Sequence, residues 1–261
     1  MRRIVGDVGR ESKVLHDQTL APGTAAKGAV EATAVVDRYA VPGAARTPTG
    51  PHAGPGARSG GGPLSGLGAR VDRFVARYDP VLAQRARDLR ADGWTIRYGP
   101  KGQGSRTRFD IGVIEIDIAH RGDVLMIVRI LAHEINHAHP DGYHPKEIPY
   151  ENTTNDDWVI DNVLERFKSE GDADIAARDA RQRILDNKGP DIGISTDTPE
   201  FNAIYAEYVS GAKTREQAAE EIGYRYGTTP VTNGVDDKTF THFDSYSKEY
   251  DALWDDLVED D

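Results

Sequence analysis

There is no cysteine among the 261 residues, so the chain can form no disulfide and can offer no thiolate to a metal. The redox compartment in which it works is left open by that absence. No apolar run reaches the length that spans a bilayer, so membrane insertion is not expected, and no internal repeat is evident. Arg2 and Arg3 stand near the start, but no apolar stretch follows them. An ordinary signal peptide is therefore not expected, and export would need a specialised secretion route. Positive charge is in deficit: 32 Lys and Arg against 43 Asp and Glu leave a net charge of −11. That balance argues against non-specific binding to nucleic acid or to an anionic membrane. The deficit is uneven, because residues 1–65 carry eight basic and five acidic groups, net +3, which leaves −14 for the rest.

Composition divides the chain. Residues 1–40 are small and polar, with only a weak helical pattern from Ala29 to Tyr39. From Val41 to Gly68 there are five prolines and many glycines, a composition that cannot pack a core. Residues 1–68 are thus expected to be a disordered arm and flexible linker, and residues 69–261 the folded domain. Arg70 to Ala91 is an amphipathic helix that Pro80 either kinks or divides in two. Trp94 to Tyr98 alternates as a strand, and Val113 to Ile118 does so more strongly, with one buried face. Gly99 to Ser105 is rich in glycine but no helix follows it, so it is not a phosphate loop. Residues 139–155 have the length of a lid or specificity loop. Helices are expected over Asp156–Lys168, capped by Thr154 or Asn155, and over Asp172–Leu185, Glu200–Ser210, Arg215–Tyr226 and Tyr246–Leu257. The class implied is α+β, mostly helical, with a small sheet.

The informative stretch is Val124 to Ala138, VLMIVRILAHEINHA, which contains H-E-x-x-H at His133, Glu134 and His137. Asp123 stands at the N-cap position, and no Pro or Gly interrupts before Pro140. Val124, Val128, Leu131 and Ile135 recur at helical spacing, so this helix presents an apolar stripe to a core. Residues four apart share a helical face, so His133 and His137 can direct two imidazoles at one ion. Glu134, one step round, suits a general base acting on a metal-activated water. A buried structural pair of histidines is the bland alternative.

A catalytic zinc takes three protein ligands. Three candidates lie downstream: Glu170, in the acidic run from Glu170 to Asp174, and His144 and His139 in the loop after the helix. If Glu170 and Asp174 share a helical turn, Asp174 can bond the far nitrogen of a ligand histidine and fix its tautomer. The acidic run could equally be the solvated start of a helix.

H-E-x-x-H followed by E-x-x-A-D, here Glu170 to Asp174, resembles the gluzincin metallopeptidases. The resemblance implies a zincin-like fold with one zinc on His133, His137 and Glu170, with Glu134 as the base and Asp174 behind a ligand. The metzincin pattern requires Gly and His where this chain has Pro140 and Tyr143, which ranks Glu170 above His144. The short helices after the motif also resemble, more loosely, the toxin-type metallopeptidase domains of bacterial polymorphic toxins and secreted effectors. That likeness implies a delivered cargo domain, with a delivery apparatus or a cognate immunity protein as partners. The expected reaction is peptide-bond hydrolysis, with the substrate strand added to a free edge of the 113–118 strand. A donor for the oxyanion is also needed, and Tyr143, His242 and Tyr246 are the candidates. The alternatives are an inactive zincin-fold binding module and a metal-dependent amidase acting on a non-protein substrate.

Overall fold

A computed structural model describes residues 63–146, 148–230 and 240–259; the expectations for residues 1–62 lie outside it. Pro80 lacks the N–H that a continuous helix needs, and the chain divides there into α1, Ala69–Tyr78, and α2, Pro80–Ala91. Asp79 joins them. Its carboxylate accepts the Leu82 N–H at 3.0 Å and is gripped by both nitrogens of the Arg183 fork at 2.8 and 2.9 Å. Residues 63–68, at the end of the expected linker, are part of the folded unit. Leu67 is buried, the Gly66 N–H donates to the Ile96 carbonyl at 2.7 Å, and Asp72 accepts from the Leu64 and Ser65 N–H groups at 3.1 Å.

Three strands follow: β1, Thr95–Gly99; β2, Arg106–Arg108; and β3, Val113–Asp117. Their order is β1-β3-β2, with β1 parallel and β2 antiparallel to β3. The alternating strand is therefore central, with both edges paired, and the expected free edge on it does not exist. The misreading has a plain cause: β2 is only Arg-Thr-Arg, too short and too charged to give a periodic signal. Ile114 and Ile116 of β3 enter the core. Glu115 points to the other face, where Arg97 and Arg106 hold its two oxygens at 2.8 and 3.0 Å.

The motif helix α3, Val124–Ala138, is capped by the Asp123 carboxylate, which accepts the Met126 N–H at 3.0 Å. Ile127, Val128, Leu131 and Ile135 are fully buried against α1, α2 and the sheet, each worth about 1.5–3 kcal/mol as an upper bound. Across α3 runs α4, Asn155–Asp186, capped by Thr154. It is one helix of 32 residues, where two were expected with a break at the acidic run. A glycine among acids reads as a turn, but Gly171 is where α6, Arg215–Gly227, crosses α4. A Cβ at Gly171 would stand 1.9 Å from the Ala219 carbonyl oxygen, and one at Gly223 would stand 1.8 Å from that of Phe167. The two backbones touch, and only glycine permits it.

The remaining helices are α5, Pro199–Val209, and α7, His242–Glu259, which begins four residues before its expected start. α5 and α6 bury Phe201, Ile204, Ala218 and Ile222 against Ile175 of α4. α7 lays Tyr246, Tyr250 and Trp254 on Trp158 and Phe167 of α4. The protein is thus a mixed α+β structure, mostly helical, with a small sheet beside the motif helix. Among the described residues no helix is long and apolar enough to cross a membrane.

Candidate metal centre

His133 and His137 lie one turn apart near the end of α3, and Glu170 reaches them from the middle of α4. The Nε2 atoms of the histidines are 3.1 Å apart, and Glu170 Oε2 lies 3.2 Å from the first and 3.6 Å from the second. Three atoms so spaced enclose a point about 1.9 Å from each, close to the roughly 2.0–2.1 Å of zinc–nitrogen and zinc–oxygen bonds. Two imidazoles and a carboxylate are borderline-to-hard donors that suit a divalent transition-metal ion, zinc among them. The group meets the donor count and the spacing of a three-ligand site.

Electrostatics agree with the geometry. Burial opposes charge on Glu170, but the charge of His137 and hydrogen bonds from both histidines hold its carboxyl well below the usual range. Burial pulls the His133 imidazole down, yet the hydrogen bond and charge of Glu170 outweigh it and raise it to about 9. Glu134 is 1% exposed, and its Oε2 accepts from the Thr107 hydroxyl at 2.9 Å. The same hydroxyl lies 2.9 Å from the Glu134 carbonyl, so its single proton is shared between the two oxygens of that residue.

The support behind the histidines differs from expectation. Asp174 touches neither of them. Its carboxylate accepts from Arg178 at 2.6 Å and from the Thr196 hydroxyl at 2.5 Å, tying α4 to the segment before α5. On a helix it lies four residues beyond Glu170 but faces that segment instead of the motif helix. Ser169 takes the place assigned to it. The Ser169 hydroxyl donates to the Tyr143 carbonyl at 3.2 Å, so toward His137 Nδ1, 3.1 Å away, it acts as acceptor. That places a proton on Nδ1 and turns Nε2 toward His133 and Glu170. Nothing in the sequence marks a serine for this. If the group holds zinc, Ser169→Ala should weaken its binding about tenfold in a chelator competition, the lower end of the range for lost outer-shell partners. An unchanged affinity would remove the serine from the site.

A second residue missed from sequence is Asp172. Its Oδ2 accepts from Asn136 of α3 and from the Tyr143 N–H, both at 2.8 Å, and its Oδ1 accepts from Arg215 of α6 at 2.6 Å. One buried carboxylate thus fastens the motif helix, the loop after it and α6 to α4.

The other expected residues divide. His144 bonds the His139 carbonyl at 3.2 Å, and His139 faces Asp88 and Asp141; neither joins the ligand group. The Tyr143 hydroxyl donates to Glu165 at 2.5 Å, and burial together with that carboxylate raises its pKa. Tyr246 is buried, with the Arg166 guanidinium over its ring. His242, at the start of α7, stacks on Tyr226 at 4.3 Å. Burial lowers its pKa while the charge of Glu170 works the other way.

The chain matches no family model, and no curated protein or solved structure is similar enough to be matched to it. What fold and site define together is an α+β protein with a preformed two-histidine, one-glutamate donor set.

Proposed function

We propose that the protein is a zinc-dependent hydrolase that cleaves peptide bonds, with Glu134 as its general base. The observation carrying this reading is the convergence of His133, His137 and Glu170 from two helices, next in sequence to Glu134, whose buried carboxylate is hydrogen-bonded by Thr107. A zinc ion on the three ligands would polarise the scissile carbonyl and bring the pKa of water toward about 7. Glu134 takes the proton of the attacking water and passes it to the leaving amine. Thr107 keeps its carboxylate from turning away. Of the three candidate oxyanion donors, His242 is the one left to test first, since the Tyr143 hydroxyl is bonded to Glu165 and Tyr246 lies under Arg166. An extended polypeptide would run along β2, an outer strand beside Glu134, and not along β3.

Elemental analysis of the purified protein should find about one zinc per chain. Glu134→Gln should keep that zinc and the fold, and lose about 10²–10⁴-fold of the rate on an unfolded polypeptide, because an amide cannot accept the proton. Hydrolysis at the wild-type rate by Glu134→Gln would show that the base lies elsewhere.

A further inference from the structure

Arg166 stands one turn before Glu170 on α4, and the side chains of both are buried, 3% and 5% exposed. Its Nη2 lies 3.6 Å from Glu170 Oε1, whereas the histidines face the other oxygen, Oε2. The same guanidinium lies over the Tyr246 ring of α7, 5.4 Å from its centroid. The carboxylate is therefore set between two imidazoles on one oxygen and a cation on the other, and the cation is backed by the C-terminal helix.

We propose that Arg166 is the positioning residue of the third ligand: with Tyr246 behind it, it fixes Glu170 so that only Oε2 is offered to a metal. This rests on the reading of the centre as a metal site. A carboxylate on an unrestrained side chain turns about its last bond and can present either oxygen, or both. The ion pair at Oε1, at 3.6 Å an electrostatic contact and not a hydrogen bond, restricts that freedom before any metal arrives. A cation beside a cation site also repels the incoming ion, and the two effects have opposite signs. Ordering of the ligand dominates here, because Arg166 approaches the far oxygen and the carboxylate charge lies between it and the metal position. Loss of Arg166 must then weaken metal binding, whereas simple repulsion would make its loss strengthen binding.

The coupling to α7 follows from the same contacts. If Tyr246 acts through Arg166, removing the ring matters only while the guanidinium is there to be held.

The experiment is a titration of the metal-free full chain with zinc against a chromogenic chelator, with cobalt as the spectroscopic substitute. Arg166→Gln should bind zinc 10–100-fold more weakly. Its cobalt form should absorb less strongly in the visible, as the carboxylate binds through both oxygens and the coordination number rises. Arg166→Lys, which keeps the charge but not the planar fork, should fall several-fold short of wild type. Tyr246→Leu should weaken zinc binding by a smaller factor, and should add nothing to Arg166→Gln. Melting of the metal-free variants separates these effects from loss of fold, which lowers the melting temperature without changing the cobalt spectrum of the folded fraction. Equal or tighter zinc binding by Arg166→Gln, with an unaltered cobalt spectrum, overturns the proposal. If that variant does not fold, wild-type affinity and spectrum in Arg166→Lys overturn it instead. A wild-type chain that takes up neither zinc nor cobalt would sink the metal reading itself, and this inference with it.

Discussion

If the centre holds zinc as proposed, Glu170→Ala should strip it, while Asp174→Ala should leave it in place and melt the protein earlier. The two acids stand four apart on one helix and look interchangeable in sequence, but their surroundings separate them. Glu170 Oε2 is within 3.2 and 3.6 Å of the two histidine nitrogens. Without it the site keeps two protein ligands, short of the three that a catalytic zinc normally takes. Since loss of an outer partner costs about 10–100-fold in affinity, loss of the ligand itself should exceed about 100-fold. His133→Ala and His137→Ala should do the same, and His144→Ala should do nothing, because His144 faces the His139 carbonyl. Asp174 instead forms a buried ion pair with Arg178 at 2.6 Å. Removing one partner of such a pair costs about 3–5 kcal/mol, a fall in melting temperature on the order of 10 °C for a domain of this size. Metal content by elemental analysis and melting by circular dichroism read the two outcomes independently. If Asp174→Ala loses its zinc while Glu170→Ala retains it, the ligand set is wrong.

Gly223→Ala should destabilise the protein by at least about 3 kcal/mol, the reverse of what the substitution does on an open helix. In an exposed helix interior alanine is better than glycine by about 1 kcal/mol. Here the new methyl would stand 1.8 Å from the Phe167 carbonyl oxygen and 2.4 Å from its carbonyl carbon. Both are backbone atoms of α4, which no rotamer change can move aside. α6 must be pushed away, and with it the packing of Ala218 and Ile222 on Ile175. Because Phe167 and Gly171 flank Glu170, zinc affinity should fall in the same variant. Urea denaturation measures the first effect; a midpoint unchanged or raised would mean that the helices do not meet there.

The motif helix was legible because its signals are local. An N-cap acid, an uninterrupted apolar stripe and two histidines four apart each act through one or two turns of backbone. The same holds for the division at Pro80 and for the capping box of α6 at Thr214 and Gln217. Where the reading failed, the deciding contact was distant in sequence. The break expected at Gly171 is absent because α6, about 50 residues on, lies against it. The 113–118 strand is central because three residues without periodicity pair with its outer edge.

By itself, then, the sequence determined an α+β chain without thiols, a long amphipathic helix carrying H-E-x-x-H, and a short set of acids and histidines from which a third ligand could come. Only tertiary structure decided among them. It turned Glu170 to the histidines and Asp174 to Arg178, placed Ser169 behind His137, and set Arg166 against the far oxygen of Glu170. The physical reason is that helical periodicity fixes which residues share a face, but the direction in which that face looks is set by crossing partners. At α4 those partners are α3, α6 and α7, and the close approach at Gly171 and Gly223 fixes where α6 crosses.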